Sequence, residues 1–93
     1  MVVIILERIP ESLRGELTRW LLEPKAGVFV GTVTAAVRER LWERVCGAMG
    51  GGAGMLVYSA RNEQGFEIRF WGATRRSVLD WEGLKLVSVP EDP

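Results

Sequence analysis

Apolar positions recur along this chain with three different periods, and each period predicts a different kind of element. Val2–Leu6 is an unbroken apolar run in which Val and Ile supply four of five residues. Such a run cannot alternate between a wet and a dry face, so it predicts a strand buried on both sides. The run stops at Glu7–Arg8 and turns through Ile9–Pro10. A helix is then predicted from Glu11, with Pro10 near its first position and an acid in its first turn. Leu13, Leu17, Trp20 and Leu21 form its buried stripe, and Pro24 is expected to end it at Glu23.

Val28–Gly31 predicts a short strand. Thr34 is placed to cap a second helix running to about Met49, with Val37, Leu41, Val45 and Ala48 inward and Trp42 on the shoulder. Arg38, Glu39, Arg40, Glu43 and Arg44 take its wet side. The glycine-rich stretch Gly50–Gly54 lacks the Gly-Lys-Ser/Thr of a phosphate loop and follows a helix, so it is expected to be a linker. Met55–Ala60 and Phe66–Trp71 predict a hairpin closed by Arg61–Gly65. In its second strand Phe66, Ile68 and Phe70 share one face, and Glu67, Arg69 and Trp71 the other. Leu84–Val89 predicts a last strand, followed by an acidic tail.

The order is therefore βαβαββ plus a terminal strand, an α+β chain. Two helices cover one face of such a sheet, yet the first strand asks for both faces to be dry. Packing of the sheet on a second copy resolves the conflict, so a sheet-to-sheet homodimer is expected. The expected division is a domain over 1–83 and a contact segment over 84–93.

Composition narrows the chemistry. A chain of 93 residues forms one small domain, and small domains gain from hiding apolar area against a partner. It contains one cysteine, Cys46, and no histidine, so no Ser-His-Asp or Cys-His pair and no zinc site of the usual ligand set is expected. Cys46 itself is expected to be a small buried hydrophobe. No organic cofactor is expected, and no membrane either, since no apolar run reaches the ~18–20 residues that a membrane span requires. A cytoplasmic location is the simple expectation. The twelve bases balance twelve acids, but ten of them are Arg, the side chain that grips phosphate or carboxylate with two parallel bonds.

The segments IPESLRGELTRWLLEPKAGVFVG, VRERLWERV, GFEIRFWG and TRRSVLDWEGLKLVS, in this order and spacing, resemble the type I-E form of the CRISPR-associated Cas-two family. The ordered set LRG, WLLE, AGVFVG, the Arg pair and D-x-x-G-L-x-L-V carries the likeness nearly end to end. The resemblance implies a ferredoxin-like fold and a symmetric dimer. It further implies a non-catalytic adaptor in CRISPR adaptation, which bridges dimers of the Cas-one integrase and holds a protospacer duplex through phosphate contacts. One departure is that a ferredoxin-like core needs two strands between its helices, and Pro24–Thr32 leaves room for little more than one. The second strand is expected to be rudimentary.

Residue by residue, the resemblance implies DNA contacts at Arg14, Arg38, Arg75 and Arg76, although Ser12 and Ala36 stand where relatives can carry further bases. It implies contacts of Leu84, Leu86, Val87 and Val89 with the sister subunit and the integrase. Glu7 stands where relatives carry an acid, usually Asp, assigned to a Mg²⁺-dependent endonuclease acting on RNA or double-stranded DNA. Two copies facing across a dimer axis could share a Mg²⁺ ion. One carboxylate per chain, beside Arg8, favours a structural acid over a catalytic one. The tryptophans are expected in cores and interfaces rather than stacked on bases.

Overall fold

The computed structural model describes residues 1–72. Its elements are β1 (Val2–Glu7), α1 (Glu11–Leu17), β2 (Leu22–Lys25), β3 (Val28–Gly31), α2 (Ala35–Ala48), β4 (Ala53–Ser59) and β5 (Phe66–Trp71). The strands form one antiparallel sheet in the order β2-β3-β1-β4-β5. The first four strands and two helices make two interleaved βαβ crossovers, the ferredoxin-like α+β arrangement, and β5 extends the sheet beyond β4. The apolar run is the middle strand. The expected division near residue 83, the terminal strand and the Arg pair lie outside the described residues.

Strand alternation sorts β1 between two environments. Val2, Ile4 and Leu6 are buried, whereas Val3 and Ile5 are only half-buried. The buried set joins Phe29 of β3 and Leu56 of β4 under Leu13 and Leu17 of α1 and Leu41, Trp42 and Val45 of α2. Both helices therefore lie on one side of the sheet. Trp42 belongs to the core rather than its shoulder, at 7% exposure. The α2 cap forms as its sequence predicts, with Val37 N–H donating to Thr34 Oγ1 at 3.2 Å.

Two elements differ from expectation. The first helix ends at Leu17, not Glu23. Thr18 turns its hydroxyl back onto the carbonyls of Arg14 (3.0 Å) and Gly15 (3.2 Å), competing with the helical ladder. A turn then carries Leu21 into the core but leaves Trp20 55% exposed, so Trp20 is not part of the buried stripe. The residues freed from the helix form β2, four residues long, irregular in register and at the sheet edge. An edge strand tolerates Pro24 because its missing N–H can face outward.

The second difference is Gly50–Gly54. Gly52 and Gly54 are buried, and β4 already begins at Ala53, so the stretch is a packed turn rather than a linker. A Cβ on Gly52 would lie 2.6 Å from the carbonyl oxygen of Glu7. Only a residue without a side chain lets the end of α2 close against the end of β1.

Candidate functional site

Glu7 is the exposed last residue of β1 and pairs with Ala53 of β4. By alternation it shares the helix-free side of the sheet with Val3 and Ile5. Arg8 follows with φ of 61°, a left-handed conformation uncommon outside glycine, and swings the chain off the sheet towards α1. Among the described residues no three acids or cysteines gather as a cation cage. One chain alone thus offers Glu7 as a single carboxylate, which does not by itself fit a Mg²⁺ ion requiring near-octahedral oxygen ligation.

Arg14 is held by carboxylates. Its Nη1 donates to Glu11 at 2.7 Å, and its Nε donates to Glu23 Oε2 at 3.1 Å. The same Glu23 oxygen accepts the N–H of Gly27 at 2.9 Å. Arg14 therefore ties α1 to the β2–β3 turn, and a phosphate reaching it would meet a guanidinium already engaged.

Arg38 sits in the first turns of α2 with its guanidinium carbon 3.8 Å from the centroid of the Tyr58 ring. This is close stacking of a cation on an aromatic face. Its Nε and Nη2 each lie 2.9 Å from Glu39 Oε2. Arg69 of β5 reaches the same Glu39, with Nη1 donating at 2.9 and 2.8 Å and Nη2 at 2.6 Å. Arg69 also stands 5.7 Å from the Tyr58 centroid. Two guanidiniums thus share one ring and one carboxylate, and Glu67, opposite Tyr58 on the same face, is a second acid beside them.

Arg44, expected only to be solvated, makes a bidentate pair with Glu16 at 2.8 and 2.6 Å, linking α2 to α1. That pairing holds the Glu16 carboxyl below its ordinary value, chiefly through the hydrogen bond from Arg44. Cys46 is half-buried, and burial pushes its thiol up while Arg69 pulls it the other way. A raised thiol is a weak nucleophile, as a packing role requires.

Within one chain the structure does not unite the expected site residues. Tyr58 pairs with Val2 at one end of β1, and Glu7 lies at the other. Five residue steps separate them, roughly 17 Å at ~3.4 Å per residue. Arg75, Arg76, Leu84, Leu86, Val87 and Val89 lie outside the described residues. Arg69, Tyr58 and Glu39 were not among the expected site residues. The alternation of β5 puts Arg69 on the face opposite Phe66, Ile68 and Phe70, and only the structure turns that face towards the helices.

A second surface is defined by what it lacks. The sheet face opposite the helices presents Val3 and Ile5 of β1, Val28 and Val30 of β3, Val57 of β4 and Ile68 and Phe70 of β5. These seven are half-buried, Met55 of β4, between Ile5 and Phe70 on the same face, is buried at 2% exposure, and none of the eight belongs to the core cluster under the helices. Leu22, opposite Val30, continues this apolar surface to the β2 edge at 72% exposure. Glu7 lies on its margin.

No helix among the described residues is long and apolar enough to cross a membrane. The family model described as CRISPR-associated protein (Cas_Cas2CT1978) matches residues 1–86. That span includes every described element and nearly the whole chain, so the protein belongs to this CRISPR-associated Cas-two family.

Proposed function

We propose that the protein is a non-catalytic dimeric adaptor of CRISPR spacer acquisition, of the type I-E form. In this reading it bridges dimers of the Cas-one integrase and holds a protospacer duplex through phosphate contacts, in the cytoplasm. The observation that carries it is the apolar, helix-free sheet face described above. A contiguous apolar surface of this kind on a small domain marks an interaction site. A second copy offers the same aliphatic surface, and a twofold pairing of identical patches closes without leaving either exposed. Leu84, Leu86, Val87 and Val89 are assigned to contacts with the sister subunit and the integrase, and Arg75 and Arg76 to phosphates.

The test is reconstitution with the integrase and duplex DNA. The dimer is expected alone, and a larger complex when both partners are added. Duplex binding is expected to ignore sequence and to weaken steeply with salt, as phosphate contacts dictate. A monomer at all working concentrations, or salt-independent binding, overturns the reading.

A second reading rests on Glu7. Because it borders the helix-free face, pairing of two copies there brings two carboxylates to one interface, where they could share Mg²⁺ with water and a phosphate. Cleavage of RNA or duplex DNA that is lost with EDTA and in Glu7→Ala would establish the endonuclease. Equal residual signal in wild type and Glu7→Ala assigns Glu7 a structural role.

A further inference from the structure

The Arg38–Tyr58–Arg69 cluster has an unusual occupant. Glu39 lies one residue from Arg38, yet it turns across to receive three donor contacts from Arg69 on a strand 30 residues away. The Tyr58 ring, packed against the core, holds both guanidiniums at its face. The side chains of Arg38, Arg69 and Glu39 keep 19%, 33% and 46% exposure, so the cluster is open to solvent. Beside it runs a groove of about 390 Å³ whose lining includes Glu39, Arg40, Glu43, Cys46 and Arg69.

A carboxylate and a phosphodiester each present two oxygens to a guanidinium fork, and Arg binds both bidentately. We propose that Arg38, Arg69 and the Tyr58 ring form a phosphodiester cradle whose forks Glu39 fills when no nucleic acid is bound. The inference deepens the proposed function and rests on it. A backbone phosphate displaces the Glu39 carboxylate, which swings into the groove towards Arg40. Glu43, one turn further along α2, repels the displaced carboxylate and limits how far it travels. Glu39 thereby keeps two arginines in a binding geometry while lowering their attraction for other anions. Arg69 and Glu39 are positioning and selectivity groups for the phosphate contact expected at Arg38.

Fluorescence anisotropy with a labelled duplex, repeated over a salt series, tests this. Glu39→Gln frees the forks and is expected to tighten binding several-fold. Glu43→Gln, which removes the same charge without touching either guanidinium, is expected to change it less. Arg69→Gln is expected to weaken binding about tenfold and to reduce the slope of log K against log salt by about 0.9, one phosphate contact's worth. Arg69→Lys keeps the charge but not the fork, and should restore the slope while leaving part of the affinity lost. Thermal melting confirms that each variant is folded, and the exposed Glu39→Gln keeps the test available if Arg69→Gln is not.

Wild-type protein that binds no duplex overturns the proposed function together with this cradle. Wild-type binding, with Glu39→Gln matching Glu43→Gln and an unaltered slope in Arg69→Gln, overturns the cradle alone. Glu39→Gln that tightens binding to polyglutamate but not to duplex reassigns the forks to an acidic protein and also overturns it.

Discussion

The two faces of this sheet are built from neighbouring residues of the same strands, yet they are finished differently. On the helix side Ile4, Phe29 and Leu56 are sealed under α1 and α2. The rim of that layer is stitched by ion pairs, Arg14 with Glu11 and Glu23, Arg44 with Glu16, and Arg69 with Glu39. Among the described residues every such pair has a member on a helix. The opposite face carries Val3, Ile5, Val28, Val30 and Val57 with no ion pair at all among the described residues. A surface meant for water carries charge, and a surface meant for a partner sheds it from its centre. The contrast therefore separates a face completed within the chain from one that, in the proposed dimer, a second copy completes.

Ile4 and Ile5 distinguish the two faces most directly, being the same residue type side by side on opposite faces. Ile4 has no exposure, and Ile4→Ala is expected to cost about 2–5 kcal/mol of folding stability, the usual range for a buried aliphatic truncation. That loss should be present at every protein concentration. Ile5→Ala is expected to leave the subunit folded and instead raise the dimer dissociation constant about tenfold, which corresponds to ~1.4 kcal/mol. Denaturation followed at several concentrations, together with sedimentation, separates the two. Equal loss of fold stability in both variants, without a change in association, would erase the distinction between the faces.

How far the sequence revealed this depends on how local each signal is. The β1 run, the Thr34 cap, the Arg61–Gly65 turn and the β5 alternation are written in contiguous residues, and the structure contains all four. The sequence predicts too long an α1 because Leu13, Leu17 and Leu21 keep a helical spacing even though the last of them sits in a turn. Pro24 predicts a helix stop from sequence alone, whereas its tolerance here depends on an edge position, a property of the sheet. The glycine run predicts slack at Gly52 because nothing in it announces that Glu7 backbone will press against that residue. The Arg69–Glu39 contact joins residues 30 apart, so only the finished fold puts that carboxylate between two arginines. Local periodicity reveals elements, and charge chemistry between elements waits for their packing.

A smaller effect sharpens the assignment of Arg14. Its partner Glu23 is 17% exposed in its side chain, so the pair is partly sheltered and also fixes Gly27. Arg14→Gln is expected to lower stability by about 1 kcal/mol, typical of a hydrogen bond to a charged group with partial solvent screening. Chemical denaturation measures that loss, and duplex affinity measured on the same protein tells whether Arg14 serves DNA as well. A variant with undiminished stability and much weaker DNA binding would move Arg14 from the framework to the nucleic-acid surface.

The smallest expected effect lies at the solvent-open joint between the helices, where the Arg44 and Glu16 side chains keep 55% and 40% exposure. Glu16 receives a bidentate pair from Arg44, and its carboxyl is held below the ordinary 4.5 mainly by that hydrogen bond. A carboxyl depressed on folding stabilises the native state once pH exceeds its unfolded value, because the folded state favours the ionised form that predominates there. The contribution is lost as pH falls from about 4.5 through the lower folded value. Wild type and Glu16→Gln should therefore differ most from weakly acidic to neutral pH and converge in stronger acid. Because both partners stand in water, added salt should shrink the difference at every pH. Melting curves across that acid range, at low and high salt, check both trends. A difference that survives below the folded value or resists salt would mean that Glu16 acts through packing, and the helix layer would then owe less to its charged rim than the comparison of the two faces implies.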